Sequence, residues 1–275
     1  MTRTILITGC SSGIGLAAAT LLRERDWRVF AGCRQSEDVS RLERDGYEAL
    51  PLDYADPDSL SAALDTVLTR TGGTLDALYN NGAYAVPGAV EDLPVEGLRA
   101  IFEANLFGWH ALTRSVIPVM RAQGHGRIVN CSSVLGIVPM RWRGAYVATK
   151  FALEGLTDVL RIEMRDTPIH VVTLRPGPIT SRIRVNSIPH FERWIDWRKS
   201  PRRAQYERSL IDRLYAERGP DPFELPAAAV AEKLLHALET PSPRGHYNIT
   251  KATHLMAAAR RLLPARALDA MIARR

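Results

Sequence analysis

The chain has 275 residues, 46% apolar and 24% charged, with 19 Gly and 17 Pro. These values exclude a disordered or collagen-like chain, and the length suffices to bury a full core without disulfide or metal. The net charge of +6 is uneven: residues 1–180 carry 18 Lys+Arg against 20 Asp+Glu, 181–220 carry 10 against 5, and 251–275 carry 6 against 1. The basic character thus belongs to two late segments. No nucleic-acid motif accompanies it, so no nucleic-acid partner is expected. Cys10, Cys33 and Cys131 are odd in number and far apart, which predicts free buried thiols, no metal site and a cytoplasmic location. Met1-Thr2-Arg3 leads straight into an apolar run without an export signal. No apolar stretch approaches the ~18–20 residues of a membrane span.

In chain order, short β-rich runs are predicted at 4–9, 27–32, 47–52, 75–80, 127–132 and 169–174. Helical spacing lies between them at 13–25, 57–70, 95–122 and 144–166. Strands alternating with helices imply right-handed βαβ units and a doubly wound parallel sheet with helices on both faces. After residue 180 the rhythm breaks. SRIRVNSIPHFERWIDWRKSPRR is polar and Arg-rich and carries Trp194 and Trp197. Helices at 203–218 and 226–240, a last strand at 246–250 and a terminal helix at 252–273, interrupted at Pro264, complete the pattern. The late part reads as an appendage of a single domain, 1–275.

Thr8-Gly9-Cys10-Ser11-Ser12-Gly13-Ile14-Gly15 follows the first strand and opens the first helix. Glycines let the backbone turn sharply and let a pyrophosphate approach, and a helix N-terminus offers free N–H groups and the positive dipole end. A glycine turn without a ligand is the alternative. The second strand ends at Gly32-Cys33-Arg34. A guanidinium there favours the 2′-phosphate of NADP over NAD, unless Arg34 is simply solvated. Asp53, after the third strand, is placed to meet an adenine or to serve a turn. Tyr146-Val147-Ala148-Thr149-Lys150 puts a phenol and an ammonium on one helix face at i, i+4. A nearby ammonium lowers a phenol's pKa, and such a pair can move a proton in concert with hydride transfer.

These motifs occur together, and with them the chain resembles the short-chain dehydrogenase/reductases over essentially its whole length. The resemblance rests on TGCSSGIG at 8–15, NNGA at 80–83, Asn105 in EANLFG, Ser133 in IVNCSS, YVATK at 146–150 and RPGPIT at 175–180. Ser133 precedes Tyr146 by 13 residues, as the family spaces them. Within the family the chain is most similar to bacterial NADP-dependent aldehyde reductases related to hydroxysteroid and retinol dehydrogenases. The stretches LITGCSSGIGL, AGCR and RRLLPARALDAMI carry that likeness.

The resemblance implies a Rossmann-type fold and NADPH-dependent reduction of an aldehyde or ketone, or the reverse oxidation. Tyr146 would give or take the proton, and Lys150 would hold the nicotinamide ribose. Ser133 would bind the substrate oxygen, its 13-residue spacing from Tyr146 favouring it over Ser132, and Asn105 would hold a relay water unless it is simply a buried polar residue bonding the backbone. Gly9, Ser12, Gly13, Ile14 and Gly15 would cradle the cofactor phosphates and ribose, and Asn81 would meet the cofactor through its backbone. Pro176, Gly177 and Ile179 would flank the nicotinamide. The family's usual Asn-Asn-Ala-Gly appears as Asn80-Asn81-Gly82-Ala83. Residues 181–220 would form the substrate lid. Its aromatics suit an apolar substrate, while its arginines would suit an acidic one or face solvent. Net +5, Pro-broken and poor in apolar residues, the lid is expected to be loosely held. Residues 251–275 are expected to pack on the body or on a second subunit of a homo-oligomer, with a membrane surface as the alternative. A catalytically silent NADP-binding sensor or scaffold is the alternative function; the complete Asn105, Ser133, Tyr146 and Lys150 set favours the enzyme.

Overall fold

The computed structural model describes residues 2–216 and 219–273. Seven strands form one sheet: β1 Thr4–Thr8, β2 Arg28–Cys33, β3 Glu48–Pro51, β4 Ala77–Asn80, β5 Gly126–Cys131, β6 Ile169–Arg175 and β7 His246–Asn248. All neighbours pair in parallel, in the order β3-β2-β1-β4-β5-β6-β7. The order reverses between β1 and β4, and the crevice at the strands' C-terminal ends there is where an α/β sheet binds its ligand. Every residue of TILIT in β1 is buried. A sheet covered on both faces produces such unbroken apolar runs, which is why the strands are readable in the sequence.

The helices are α1 Gly13–Arg23, α2 Ser36–Arg44, α3 Pro57–Thr71, α4 Val95–Phe102, α5 Gly108–Gln123, α6 Gly144–Glu163, α7 Ile183–Trp194, α8 Arg203–Gln205, α9 Asp212–Tyr215, α10 Ala228–Glu239, α11 Lys251–Leu262 and α12 Ala265–Ala273. A π turn, Glu103–Phe107, joins α4 to α5, and another, Tyr206–Ile211, joins α8 to α9. Helix α3 begins with Asp56 as N-cap, its carboxylate accepting from Asp58 N and Ser59 N, and with Pro57 in its first turn. Helices α1 and α10 pack together over one face of the sheet, and α5 and α6 lie over the other.

Two helices were not expected from periodicity. In α2 only Leu42 is buried, so no apolar stripe marks it. In α7 Pro189 sits inside the helix and polar residues dominate. The expected helix at 203–218 ends at Tyr215, with Glu217 and Arg218 outside the described residues. Pro264 breaks the terminal helix into α11 and α12, as its missing N–H requires.

A chain of buried polar side chains crosses the sheet beneath its C-terminal edge. Thr8 Oγ1 and Tyr54 Oη are 2.7 Å apart, and Tyr54 donates to Asn80 Oδ1 at 2.7 Å. Asn80 Nδ2 donates to Thr113 Oγ1 at 3.1 Å and to Asn130 Oδ1 at 2.9 Å. Asn130 Nδ2 donates to Thr157 Oγ1 at 2.9 Å. The chain thus ties β1, β4, β5, α5 and α6 by side chains alone. Replacing Asn80 by Leu leaves Tyr54, Thr113 and Asn130 with buried unpaired groups, each costing about 1–3 kcal/mol. Asn80→Leu is expected to destabilise the fold by at least about 3 kcal/mol, whereas Thr157→Val, at the end of the chain, is expected to lose about 1 kcal/mol. Urea unfolding of both variants checks the ranking, and equal losses would show that the groups do not act as a connected network.

Candidate active site

The loop between β1 and α1 is built around close approach. Gly9 has φ +70°, and a Cβ on it would lie 2.6 Å from Gly82 Cα. A Cβ on Gly15 would lie 2.2 Å from the Gly9 carbonyl oxygen. Ser12 is the N-cap of α1 but its side chain caps nothing, and no acidic residue stands in the first turn. The first N–H groups of α1, at Gly13, Ile14 and Gly15, therefore face the crevice without a side-chain acceptor, a donor set that suits a pyrophosphate. The loop is braced from β4. Asn81 Nδ2 donates to the Thr8 and Gly9 carbonyls at 3.1 and 3.4 Å, and Asn81 N and Gly82 N donate to Thr8 Oγ1 at 2.9 and 3.1 Å. A Cβ on Gly82 would lie 3.3 Å from Gly9 N, tight but short of a clash. Ala at that position, the family's usual order, therefore needs only a small adjustment here.

The other end of the crevice is framed by three strands. Arg34, just past β2, is exposed and makes no ion pair among the described residues. Asp53 Oδ1 accepts from Ala55 N at 3.0 Å, the turn role expected as its alternative. Past β6, a Cβ on Gly177 would lie 2.0 Å from Thr250 Oγ1. Pro176 O accepts from Val134 N at 2.7 Å, fastening the loop after β6 to the segment that carries Ser133. Ile179 forms an isolated bridge with Leu225.

Tyr146 and Lys150 lie in the first turns of α6, both buried. Lys150 Nζ donates to the Cys131 carbonyl at 2.8 Å, 4.3 Å from the centroid of the Trp109 ring and 5.5 Å from that of Tyr146. Burial lowers the Lys150 pKa to about 8 against the opposing pull of Cys131 and Glu154. Burial pushes the Tyr146 phenol well up, while Ser133 and Arg143 pull it down. The sequence argument assigns that lowering to Lys150; in the structure Ser133 and Arg143 supply it. Ser133 caps a short turn, its Oγ accepting from Leu135 N at 3.1 Å. Asn105 sits fully buried in the π turn. Its Oδ1 accepts from Tyr84 N at 3.1 Å, and its Nδ2 donates to Tyr84 O at 2.8 Å and to Thr149 Oγ1 at 3.4 Å. The structure thus brings Ser133, Tyr146 and Lys150 to one place and makes Asn105 a clamp between the β4 loop and α6.

Residues 181–216 lie over Tyr146. Phe191, Ile195, Tyr206, Leu210 and Leu214 form a second buried cluster with Tyr146, Leu135, Ala145, Ile101, Ala85 and Val86. His190 stacks on Tyr84 at 3.8 Å between ring centroids. The hydroxyl of Tyr206 accepts from Ala89 N and donates to Asp92 Oδ2, both at 2.7 Å. The expectation of a segment with little apolar surface to bury is therefore corrected: Phe191, Ile195, Tyr206, Leu210 and Leu214 are buried, while Ile183, Val185 and Tyr215 stay exposed. In the terminal segment Leu268 is 2% exposed, packed within this chain, while Leu255, Leu262 and Leu263 remain exposed. Sequence reasoning missed the bracing role of Thr8, Tyr54 and Asn130, and Arg41, which donates to the Ser11 carbonyl at 2.7 Å and steadies the glycine loop from α2.

A glycine cradle at the switch point beside a half-buried Ser133 and the buried Tyr146 and Lys150 is the arrangement of a dinucleotide-dependent oxidoreductase. The comparisons agree. Residues 3–190 match the short chain dehydrogenase family. The chain is 35% identical over 272 residues to the uncharacterized oxidoreductase YbbO of Escherichia coli (strain K12), covering 99% of this chain and 94% of that protein. It is 34% identical over 190 residues to retinol dehydrogenase 8 of Bos taurus, covering 65% and 60%. A short-chain dehydrogenase structure from Streptomyces avermitilis matches with a TM-score of 0.76 and 26% identity, covering 100% of this chain and 96% of that one. The chain belongs to the short-chain dehydrogenase family, NAD(P)-dependent oxidoreductases that act on CH–OH or carbonyl groups. Among the described residues, no helix is long and apolar enough to cross a membrane.

The depressed Lys150 pKa predicts a pH-dependent stability difference. Below about pH 8 folding buries a charged ammonium; as pH rises toward 10.5 the unfolded chain loses the same proton and the penalty vanishes. The shift corresponds to about 3 kcal/mol, less about 1 kcal/mol for the bond to Cys131. Lys150→Met is therefore expected to be about 2 kcal/mol more stable than the parent at pH 7, with the advantage gone above pH 10.5. Denaturant titrations of both proteins from pH 6 to pH 11 test this, and a constant difference would contradict it.

Proposed function

We propose that this protein is an NADPH-dependent reductase of aldehydes or ketones, working also in the reverse direction on the alcohols. What supports the reading is the meeting of Ser133, Tyr146 and Lys150 at the C-terminal edge of the sheet, next to the Gly9–Gly15 cradle and beneath 181–216. When bound, the dinucleotide supplies or takes up the hydride. Gly9, Ser12, Gly13, Ile14 and Gly15 would hold its phosphates. Arg34 would face the 2′-phosphate, Asp53 the adenine, and Asn81 the ribose side. Pro176, Gly177 and Ile179 would flank the nicotinamide, and Tyr146 and Lys150 its ribose.

Tyr146 gives its proton to the carbonyl oxygen in reduction and takes it back in oxidation. Burial keeps the phenol protonated at neutral pH, which is the form a donor needs. Ser133 Oγ donates to the same oxygen and stabilises the charge that grows there. Lys150 holds the ribose and, on releasing its bond to Cys131, returns a proton toward Tyr146. The Asn105 side chain already serves Tyr84 and Thr149, so its part in the relay falls to its backbone within the π turn. Residues 181–220 act as the lid of this single domain and exclude water from the reacting atoms. Three free buried thiols accord with a cytoplasmic location.

Tyr146→Phe keeps the ring packing and removes the proton. It is expected to lose at least about 100-fold in kcat with NADPH affinity nearly unchanged. Stopped assays with an aldehyde panel and NADPH fluorescence titration measure both, and a variant with more than about a tenth of parental activity overturns the acid–base assignment.

Arg34→Asp replaces a cation by a carboxylate that repels a 2′-phosphate and accepts from a ribose hydroxyl. The ratio of kcat/KM for NADPH over NADH is expected to fall by at least about tenfold. An unchanged ratio would mean that Arg34 only faces solvent.

A further inference from the structure

Among the described residues Lys150 is the one fully buried cation. Burying an ammonium is costly unless its charge and its N–H groups find partners. One N–H donates to the Cys131 carbonyl of β5 at 2.8 Å. Among the described residues no carboxylate forms an ion pair with it: Glu154, one turn further along α6, already holds Arg175 at 2.7 Å. The other titratable groups nearby are neutral. Burial keeps the Cys131 thiol protonated, and it does the same for the phenols of Tyr79 on β4 and Tyr146 on α6. What remains to face the charge is the indole of Trp109, whose ring centroid lies 4.3 Å from Lys150 Nζ. An aromatic face is electrically negative and attracts a cation, most strongly where water is excluded.

Trp109 is itself fixed in place. It is the second residue of α5 and only 1% exposed. Its Nε1 donates to the Gly82 carbonyl at 2.9 Å, which ties the indole to the loop that braces the glycine cradle. Its ring packs on Tyr54, 5.7 Å between centroids and tilted by 36°. The helix start is pressed against the chain after β3, since a Cβ on Gly108 would lie 2.2 Å from the Tyr54 carbonyl oxygen. In the arginine–aromatic pairs of this protein the arginine is exposed or half-buried, so water competes with the ring. Burial removes that competition at Lys150.

We propose that Trp109 is a positioning residue of the reaction: its ring face keeps the buried Lys150 charged and fixes the place of its ammonium, ready to hold the nicotinamide ribose. The attraction to a ring face leaves the remaining N–H groups of the ammonium free for the ribose hydroxyls, which a carboxylate partner would not. The Asn105 side chain, engaged with Tyr84 and Thr149, leaves this task to the indole. The inference rests on the reading of Lys150 as the ribose-holding group.

The test follows NADPH affinity against pH, without a carbonyl substrate, through the fluorescence of the bound nicotinamide. The proteins compared carry, at position 109 alone, tryptophans with increasing numbers of ring fluorines. Fluorine drains negative charge from the ring face while keeping its shape and its Nε1–H. The parent is expected to lose affinity as pH rises through the Lys150 pKa, and Lys150→Met is expected to show no such bend. Along the fluorine series the bend is expected to move to lower pH, by about one pH unit in all, since a desolvated cation–ring contact shifts the balance between ammonium and amine by about tenfold. Trp109→Leu, which removes the face, is expected to move the bend at least as far; should it not fold, the fluorine series decides. A bend that stays at the parental pH throughout the series overturns the proposal and leaves the Lys150 reading standing, because the indole would then only fill space and hold Gly82. No bend in the parent, or one that persists in Lys150→Met, overturns the Lys150 reading and the proposal with it.

Discussion

The polar chain Thr8–Tyr54–Asn80–Asn130–Thr157 is the constraint on which the site depends. Hydrophobic burial holds a parallel sheet together but says little about where the strand ends sit relative to one another. Buried hydrogen-bonding groups do, because each must find its partner within about 3 Å or remain costly and unpaired. Thr8 closes β1 and also accepts from Asn81 and Gly82. The same hydroxyl therefore ties the glycine loop to the loop after β4. Asn80 and Asn130 lie side by side in the register of β4 and β5, and Thr157 continues the chain into α6. The cradle, the segment bearing Ser133 and the helix bearing Tyr146 and Lys150 thereby share one frame.

A second core, above the edge of the sheet, sets the environment of the chemistry. Tyr146 belongs to the cluster that contains Phe191, Ile195, Tyr206, Leu210 and Leu214, so these side chains and Tyr146 exclude water together. That exclusion raises the phenol and lowers Lys150. The two shifts have one cause and opposite sign, since burial disfavours the charged form of each.

Much of this was legible in the sequence, for physical reasons. Strands buried on both faces appear as unbroken apolar runs, and the glycines at 9 and 15 mark contacts that no Cβ fits. The i, i+4 spacing of Tyr146 and Lys150 predicts the shared helix face that the structure has. Helix α2 escaped because one buried Leu42 leaves no periodic signal, and α7 because Pro189 reads as a break. The polar chain escaped because Thr8, Tyr54, Asn80, Asn130 and Thr157 are scattered over the sequence and acquire meaning only once β1, β4 and β5 lie adjacent. A count of the apolar residues after 180 did not show that Phe191, Ile195, Tyr206, Leu210 and Leu214 are buried in one cluster with Tyr146.

The most direct test of the account is isotopic. The protein would be incubated with NADPH carrying deuterium at both C4 positions of the nicotinamide and with the best aldehyde from the panel, and the product examined by mass spectrometry and NMR. The account predicts an alcohol with one deuterium on the carbinol carbon, formed in step with NADPH oxidation and absent with Tyr146→Phe. NADPH oxidation without labelled alcohol, or an alcohol without the label, would contradict it.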